Sequence, residues 1–247
     1  TNINPYLVDA PDAILISRRS PICSVPEIME GSALIDDGHF ILSPQERDTL
    51  VAQYPVTAAW IRPFVWGDGF INNEKRYCLW LKDADPTDLR AVKPVLERIE
   101  AVKNFRISSN RQATKALASM PTLFGEIRQP SMRYIFVPKT SSERRAYIPI
   151  GFLAPEYVLN NTSLAIDGGS LFHFGVLTSL MHMAWMRSVA GRLESRYRYS
   201  GQIVYNNFPW PSEPTDKHKA AIEQAAQAVL DARAAHPDAS LADLYDP

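Results

Sequence analysis

Ten basic residues lie between positions 98 and 145, opposed only by Glu100, Glu126 and Glu143. Near its end the stretch reads Ser142-Glu143-Arg144-Arg145, with a carboxylate and a guanidinium two positions apart. In an extended segment, residues i and i+2 point the same way. A carboxylate accepts from the N4 amine of cytosine and Arg donates to guanine O6 and N7, so Glu143 and Arg145 have the chemistry to read one C·G base pair. The competing reading is an exposed local ion pair worth well under about 1 kcal/mol. Arg128 and Gln129 are a second base-reading candidate, because Gln can bridge adenine N6 and N7; the motif around them, residues 121–130, also reads as structural. Arg106, Arg111, Lys115 and Arg144 carry charge suited to backbone phosphate, a contact that fixes register while base edges specify sequence. Arg196, Arg198 and Tyr199 either touch such a backbone or only seat a helix.

The total charge hides this pattern, since 26 Lys+Arg against 27 Asp+Glu leave a formal −1. Residues 1–50 hold three basic residues against eight acids, and residues 212–247 three against seven. Charge segregated in this way suits a polyanion partner for the middle of the chain, the plain alternative being a solvated helix with its flanking strands. A 46% hydrophobic composition with balanced charge excludes intrinsic disorder. No apolar run is long enough for a membrane span, and no basic-then-apolar secretory leader is visible. Cys23 and Cys78 are too few for a disulfide scaffold or a structural zinc site, and the chain reads as intracellular. The His residues have no second ligand at metal spacing, and His182 is expected to pack or cap within its helix. Glu97 and Glu100 read as one turn of solvated helix, and Asp167-Gly168-Gly169 as a turn. There is no glycine-rich phosphate loop, no GxSxG elbow and no catalytic constellation. A first residue other than Met and an end at Leu244-Tyr245-Asp246-Pro247 lead us to expect a piece of a longer protein.

The elements that must position these residues read as an α+β fold: mixed or antiparallel sheets with packed helices, then a C-terminal helical segment. Short strands are expected at 13–16 and 41–42. Ser43-Pro44-Gln45-Glu46 is a helix start that should end near Tyr54-Pro55. Residues 77–81, apolar throughout, predict a central strand. Leu89, Val92, Leu96, Ile99 and Val102 predict a helix that Pro94 kinks or breaks, with Arg111 and Lys115 sharing a face further on. Strands at 134–138 and 147–150 would flank the polar loop 139–145 as a long hairpin, with others at 152–153, 164–166 and 171–172. A second helix opens at Leu177 and should reach about Leu193; a third spans 215–236. Phe208-Pro209-Trp210-Pro211 cannot continue any element and divides the chain into 1–211 and 212–247. Trp60, Trp66 and Trp80 read as core rather than stacking platforms.

Several segments resemble one family in order along the chain. They are Ile3-Asn4-Pro5-Tyr6-Leu7-Val8, Ile61-Arg62-Pro63-Phe64, Arg76-Tyr77-Cys78-Leu79-Trp80-Leu81 and Leu96-Glu97-Arg98-Ile99. Residues 121–130 (PTLFGEIRQP) and 141–149 (SSERRAYIP) follow, then His173 to Ser179, His182-Met183-Ala184-Trp185 and Tyr205 to Pro211. From about residue 3 to 246 they look like the target-recognition region of the Mme-type (type IIL) restriction-modification enzymes and their stand-alone methyltransferase relatives. The resemblance implies a sequence-specific double-stranded DNA recognition domain of an adenine-N6 DNA methyltransferase, working in the bacterial cytoplasm. It also implies a covalently linked methyltransferase domain upstream that uses S-adenosylmethionine, and in many members an N-terminal nuclease. The family's Asn-Pro-Pro-aromatic catalytic motif is not matched by Asn4-Pro5-Tyr6 or Asn207-Phe208-Pro209, and no glycine-bearing S-adenosylmethionine loop is present. The resemblance therefore implies a non-catalytic, DNA-reading part, and it points to the segment holding Glu143 and Arg145. Two other classes stay open on the residues alone: a protein-docking module without DNA-reading activity, and a small nuclease, which would need an acidic metal-binding cluster.

Overall fold

Apolar runs become the centres of sheets in the computed structural model, which describes residues 3, 4, 7, 9, 11, 12 and 14–247. In chain order the strands are β1 (Ile28–Glu30), β2 (Ile41–Leu42), β3 (Ile61–Val65), β4 (Arg76–Leu79), β5 (Tyr134–Pro138), β6 (Thr140–Ser141), β7 (Gly151–Leu153), β8 (Val158–Leu159), β9 (Ser163–Asp167), β10 (Gly191–Leu193) and β11 (Arg196–Arg198). The helices are α1 (Pro44–Gln53), α2 (Gly67–Ile71), α3 (Pro86–Ala91), α4 (Lys93–Ser108), α5 (Gln112–Ala116), α6 (Leu171–Leu177), α7 (Leu180–Val189), α8 (Asp216–Ala234) and α9 (Leu241–Tyr245). One sheet has the antiparallel order β1-β9-β5-β7; a second runs β2-β4-β3-β8, with β3 and β8 parallel; a third is β10-β11-β6. The α+β architecture is that expected. Among the described residues no helix is long and apolar enough to cross a membrane.

Local signals explain most elements. Ser43 caps α1 by accepting from the Glu46 N–H, while the Glu46 carboxylate accepts from the Ser43 N–H. The strand expected at 77–81 is found as β4, which opens one residue earlier at the exposed Arg76 and ends at Leu79; its apolar part, 77–79, lies inside the sheet between β2 and β3. All five residues of β5 are buried between β9 and β7. Pro94 sits in the first turn of α4, so the expected helix breaks at Val92. The break resets the helical phase: Val95, Ile99, Val102 and Arg106 face inward, and Leu96 is exposed, contrary to expectation. Trp60 and Trp80 are buried in the core on the second sheet, and Trp66 packs against it.

Other expectations fail where tertiary contacts decide. Residues 171–172 open α6 rather than a strand, and the following helix stops at Val189, with β10 in place of its last turn. A break at Thr178-Ser179 separates α6 from α7, and Ser179 caps the second helix by accepting from the His182 N–H. Residues 147–150 form no strand; β5 pairs instead with β7, Tyr134 opposite Leu153. Residues 14–16 form no strand, and Ile14 and Ile16 are exposed; Ala13, like Pro5, Tyr6 and Val8 of the first motif, lies outside the described residues.

Helix α8 seats on α6 at Gly175, where an added Cβ would lie 2.7 Å from Ile222 Cγ2 and 3.1 Å from the Ala226 Cβ. Ala226 shares one core with Phe208, Trp210, Phe174 and Ile135, so this helix packs on the same body as the β5 sheet.

Candidate nucleic-acid interface

Two basic zones occupy different parts of the fold. In the first, Arg111 is the N-cap of α5 and Lys115 lies in its last turn, both exposed. Arg106, one helix earlier, departs from its expected role as a phosphate ligand. It is fully buried, and its Nε–H donates to Ile35 O at 2.8 Å. Nη1 donates to Leu117 O and Met120 O, each at 3.1 Å, and Nη2 to Leu34 O at 3.1 Å and Leu123 O at 2.7 Å. All five guanidinium donors are used, so none is left for phosphate. Burial pulls the Arg106 pKa below its ordinary value, with the Asp36 charge opposing. Gln129 is a second correction: its Nε2 donates to Pro155 O and Tyr157 O, both at 2.8 Å, and its Oε1 is buried. The amide edge that would bridge adenine is turned into the protein. Arg128 is exposed but engaged by Glu126 and, at 3.4 Å, by Glu30.

The second zone lies on the third sheet. β6 leads into a turn closed by the Arg145 N–H on Ser142 O at 3.3 Å, so residues 142–145 are not the extended hairpin loop expected. The turn sends Glu143 and Arg145 to different partners, and no ion pair joins them. Glu143 is exposed; its own backbone N–H, the Ser195 hydroxyl, and the charges of Arg144 and Arg192 hold its carboxyl below the usual range. Arg145 is only 12% exposed and grips Asp246 side-on, Nε to Oδ1 at 2.5 Å and Nη2 to Oδ2 at 3.1 Å. Arg144, between them, is exposed and makes no ion pair among the described residues.

The β10–β11 hairpin beside this turn is legible only in part, because helical periodicity puts Arg196 and Arg198 next to a helix end. Its alternation, Arg192-Leu193 and Arg196-Tyr197-Arg198 around Glu194-Ser195, is the signal that finds it. Glu194 takes a left-handed φ of 57° in the two-residue turn, which costs a non-glycine residue on the order of 1 kcal/mol. Tyr197 is buried opposite Ser141, while Arg196 and Arg198 point to solvent on the other face with Thr140. Arg192 stacks 3.8 Å from the Tyr197 ring centroid, and Arg196 pairs with Glu194 at 2.8 Å. A two-stranded ribbon of this kind has the width to enter a DNA major groove.

His182 packs as expected: it is buried, with Nε2 2.9 Å from Tyr199 Oη, and burial lowers its pKa to about 3. Among the described residues, no three His, Cys, Asp or Glu side chains gather as metal ligands. A cradle for S-adenosylmethionine is not formed by the strand-to-helix turn Gly67-Asp68-Gly69 after β3: a Cβ on Gly69 would lie 2.6 Å from the Trp66 ring, so the chain's own indole fills that space.

Comparison with known proteins adds to this geometry. The family described as MmeI, target recognition domain, matches residues 9–212, and the one described as MmeI, C-terminal domain, matches residues 214–247. Across all 247 residues the chain is 36% identical to DNA methyltransferase A of Bacillus subtilis (strain 168), of which it spans 28%. A solved structure of the type IIL restriction-modification enzyme MmeI in complex with DNA matches 100% of the chain with a TM-score of 0.96 and 46% identity. The chain covers 33% of that protein, so it spans a third or less of the length of these relatives.

Proposed function

Because the chain belongs to the MmeI target recognition domain family, we propose that it reads a specific double-stranded DNA sequence for a covalently linked adenine-N6 methyltransferase domain. The observation that carries this reading is the likeness, over the whole chain, to an enzyme solved in complex with DNA. The methyl donor, S-adenosylmethionine, would be held by the linked domain upstream, in the cytoplasm of a bacterium. Residues 1–211 make the reading body, and residues 212–247 form a helical segment that reaches back to it through Asp246.

The base-reading pair is Glu143 with Arg145. Glu143 offers an exposed, ionised carboxylate to a cytosine N4 amine. Asp246 occupies Nε and one N–H of Nη2 on Arg145, and the end-on fork of Nη1 and Nη2 is what guanine O6 and N7 require. Arg111, Lys115 and Arg144 serve as phosphate contacts.

The test uses the intact reading frame in a methylation-deficient bacterial host, with N6-methyladenine mapped across the genome by single-molecule sequencing. One modified motif of several base pairs is expected, and Glu143→Gln or Arg145→Gln changes the base pair accepted at one of its positions. An unaltered motif after both substitutions refutes the base-reading pair. No N6-methyladenine from soluble, abundant protein refutes the DNA-reading function.

A further inference from the structure

A polar cleft of about 400 Å³ opens where the ends of β5 and β11 meet the π-helical turn Gly201–Tyr205 and the segment carrying Arg19. Its walls include Arg19, Lys139, Arg198, Glu30, Gln202 and Asn206. Three cations thus face one carboxylate, and that carboxylate is already shared: Glu30 binds Lys139 at 2.7 Å and Arg128 at 3.4 Å. Arg19 and Arg198 are exposed and have no ion pair among the described residues.

The cleft is built rather than incidental. The Arg18 N–H donates to Gln202 O at 3.1 Å, and Arg18 O accepts from Asn206 Nδ2 at 2.8 Å. Arg18 Nε in turn donates to Asn207 Oδ1 at 2.9 Å. Asn206 and Asn207 are buried at the end of the π-helical turn, so the backbone leading into Arg19 is held against a fixed element. On its other side the turn packs against β1, and Gly201 admits that approach, since a Cβ there would lie 2.9 Å from Ile28 Cγ2. Opposite, Lys139 Nζ is pinned between Glu30 and Asn161 O, each at 2.7 Å, and Arg198 projects from the outward face of β11. Asn206 lines the cleft through a side chain whose amide is committed to the Arg18 carbonyl, with its Oδ1 buried.

We propose that Arg19, Lys139 and Arg198 bind a backbone phosphodiester of duplex DNA and so set the register of the turn that carries Glu143 and Arg145. This rests on the DNA-reading function proposed above. Lys139 precedes Glu143 by four residues, at most about 14 Å of chain. A duplex presents a phosphate on each strand every 3.4 Å or so of its axis, so one lies within reach of the cleft whenever the turn is at a base edge. The clamp carries no sequence information itself, as phosphate contacts position and base contacts specify.

The experiment compares the intact protein with Arg19→Gln/Arg198→Gln and Arg19→Lys/Arg198→Lys, measuring duplex binding from about 50 to 200 mM salt. The Gln variant should lower the slope of log affinity against log salt by about 0.9 for each phosphate it no longer neutralises, while the methylated motif keeps its sequence. The Lys variant, which retains point charges for phosphate, should recover most of the slope. A Gln variant with the parent's slope and affinity overturns the clamp. Duplex binding that is absent or insensitive to salt in the parent overturns the DNA-reading function instead. Inorganic phosphate and a free nucleoside monophosphate are titrated in parallel by NMR: chemical-shift changes that depend on Arg19 and Arg198, with an unchanged duplex slope, assign the cleft to a free anion and overturn the DNA source.

Discussion

Replacing Arg106 by Met keeps most of the aliphatic stem and removes a buried guanidinium whose donors reach the carbonyls of Leu34, Ile35, Leu117, Met120 and Leu123. These carbonyls come from two segments, so the side chain ties α4 to the chain before β2 and to the stretch after α5. A hydrogen bond to a charged group contributes about 1.5–3 kcal/mol, and such bonds in one network do not add. Taking the low end for each and halving the total leaves about 4 kcal/mol. At about 2–4 °C per kcal/mol for a chain of this size, the melting temperature should drop by about 8–16 °C. Arg106→Lys keeps a charge but only three donors, and should recover a minor part of the loss. The assay is a thermal melt followed by Trp fluorescence, paired with the salt dependence of duplex binding on folded protein. A variant that melts within about 2 °C of the parent yet shows a reduced salt slope would refute the reasoning, because Arg106 would then be a phosphate ligand.

Asp246→Ala frees Arg145 from its side-on partner and should loosen base choice at the motif position that Arg145→Gln alters, by about 3- to 10-fold in relative methylation; an unchanged motif separates the pair from recognition. His182 stays neutral when folded, with a pKa near 3, but titrates near 6.5 when unfolded. As pH falls below about 6.5 the unfolded chain takes up a proton that the folded one refuses, so stability declines by up to about 1.4 kcal/mol per pH unit. Urea midpoints at pH 6.5 and 5 should show His182→Gln with a shallower decline than the parent; part of the slope persists, since burial also lowers the His173 pKa. Burial pushes the Cys78 thiol far up, so Ellman's reagent should reach the half-buried Cys23 in the native state and Cys78 only on unfolding; rapid reaction of both thiols would contradict this packing.

Sequence alone determined what depends on neighbours a few residues away. Ser43, Pro44 and Glu46 contain the whole of the α1 cap, Pro94 enforces the break at Val92, and the apolar run 77–79 and that of β5 demand positions inside their sheets. The recognition motifs were legible for the same reason, as ordered strings of adjacent residues. What became of each charged side chain was not legible, because charge is a property of the residue and exposure is not. Arg106 and Arg111 look alike in the sequence, yet one meets carbonyls of Leu34 and Ile35 more than 70 positions away and the other meets solvent. Arg145 finds Asp246 at a separation of 101 residues, and Gln129 turns inward because the Pro155 and Tyr157 carbonyls happen to lie beside it. The ribbon of β10 and β11 forms where helical periodicity ran on toward Leu193, since β6 supplies a strand edge that local propensity cannot foresee. Tertiary structure decided which arginines are tied into the fold and which remain for a partner, because a guanidinium has five donors to satisfy and only the folded chain determines whether carbonyls or a ligand satisfy them.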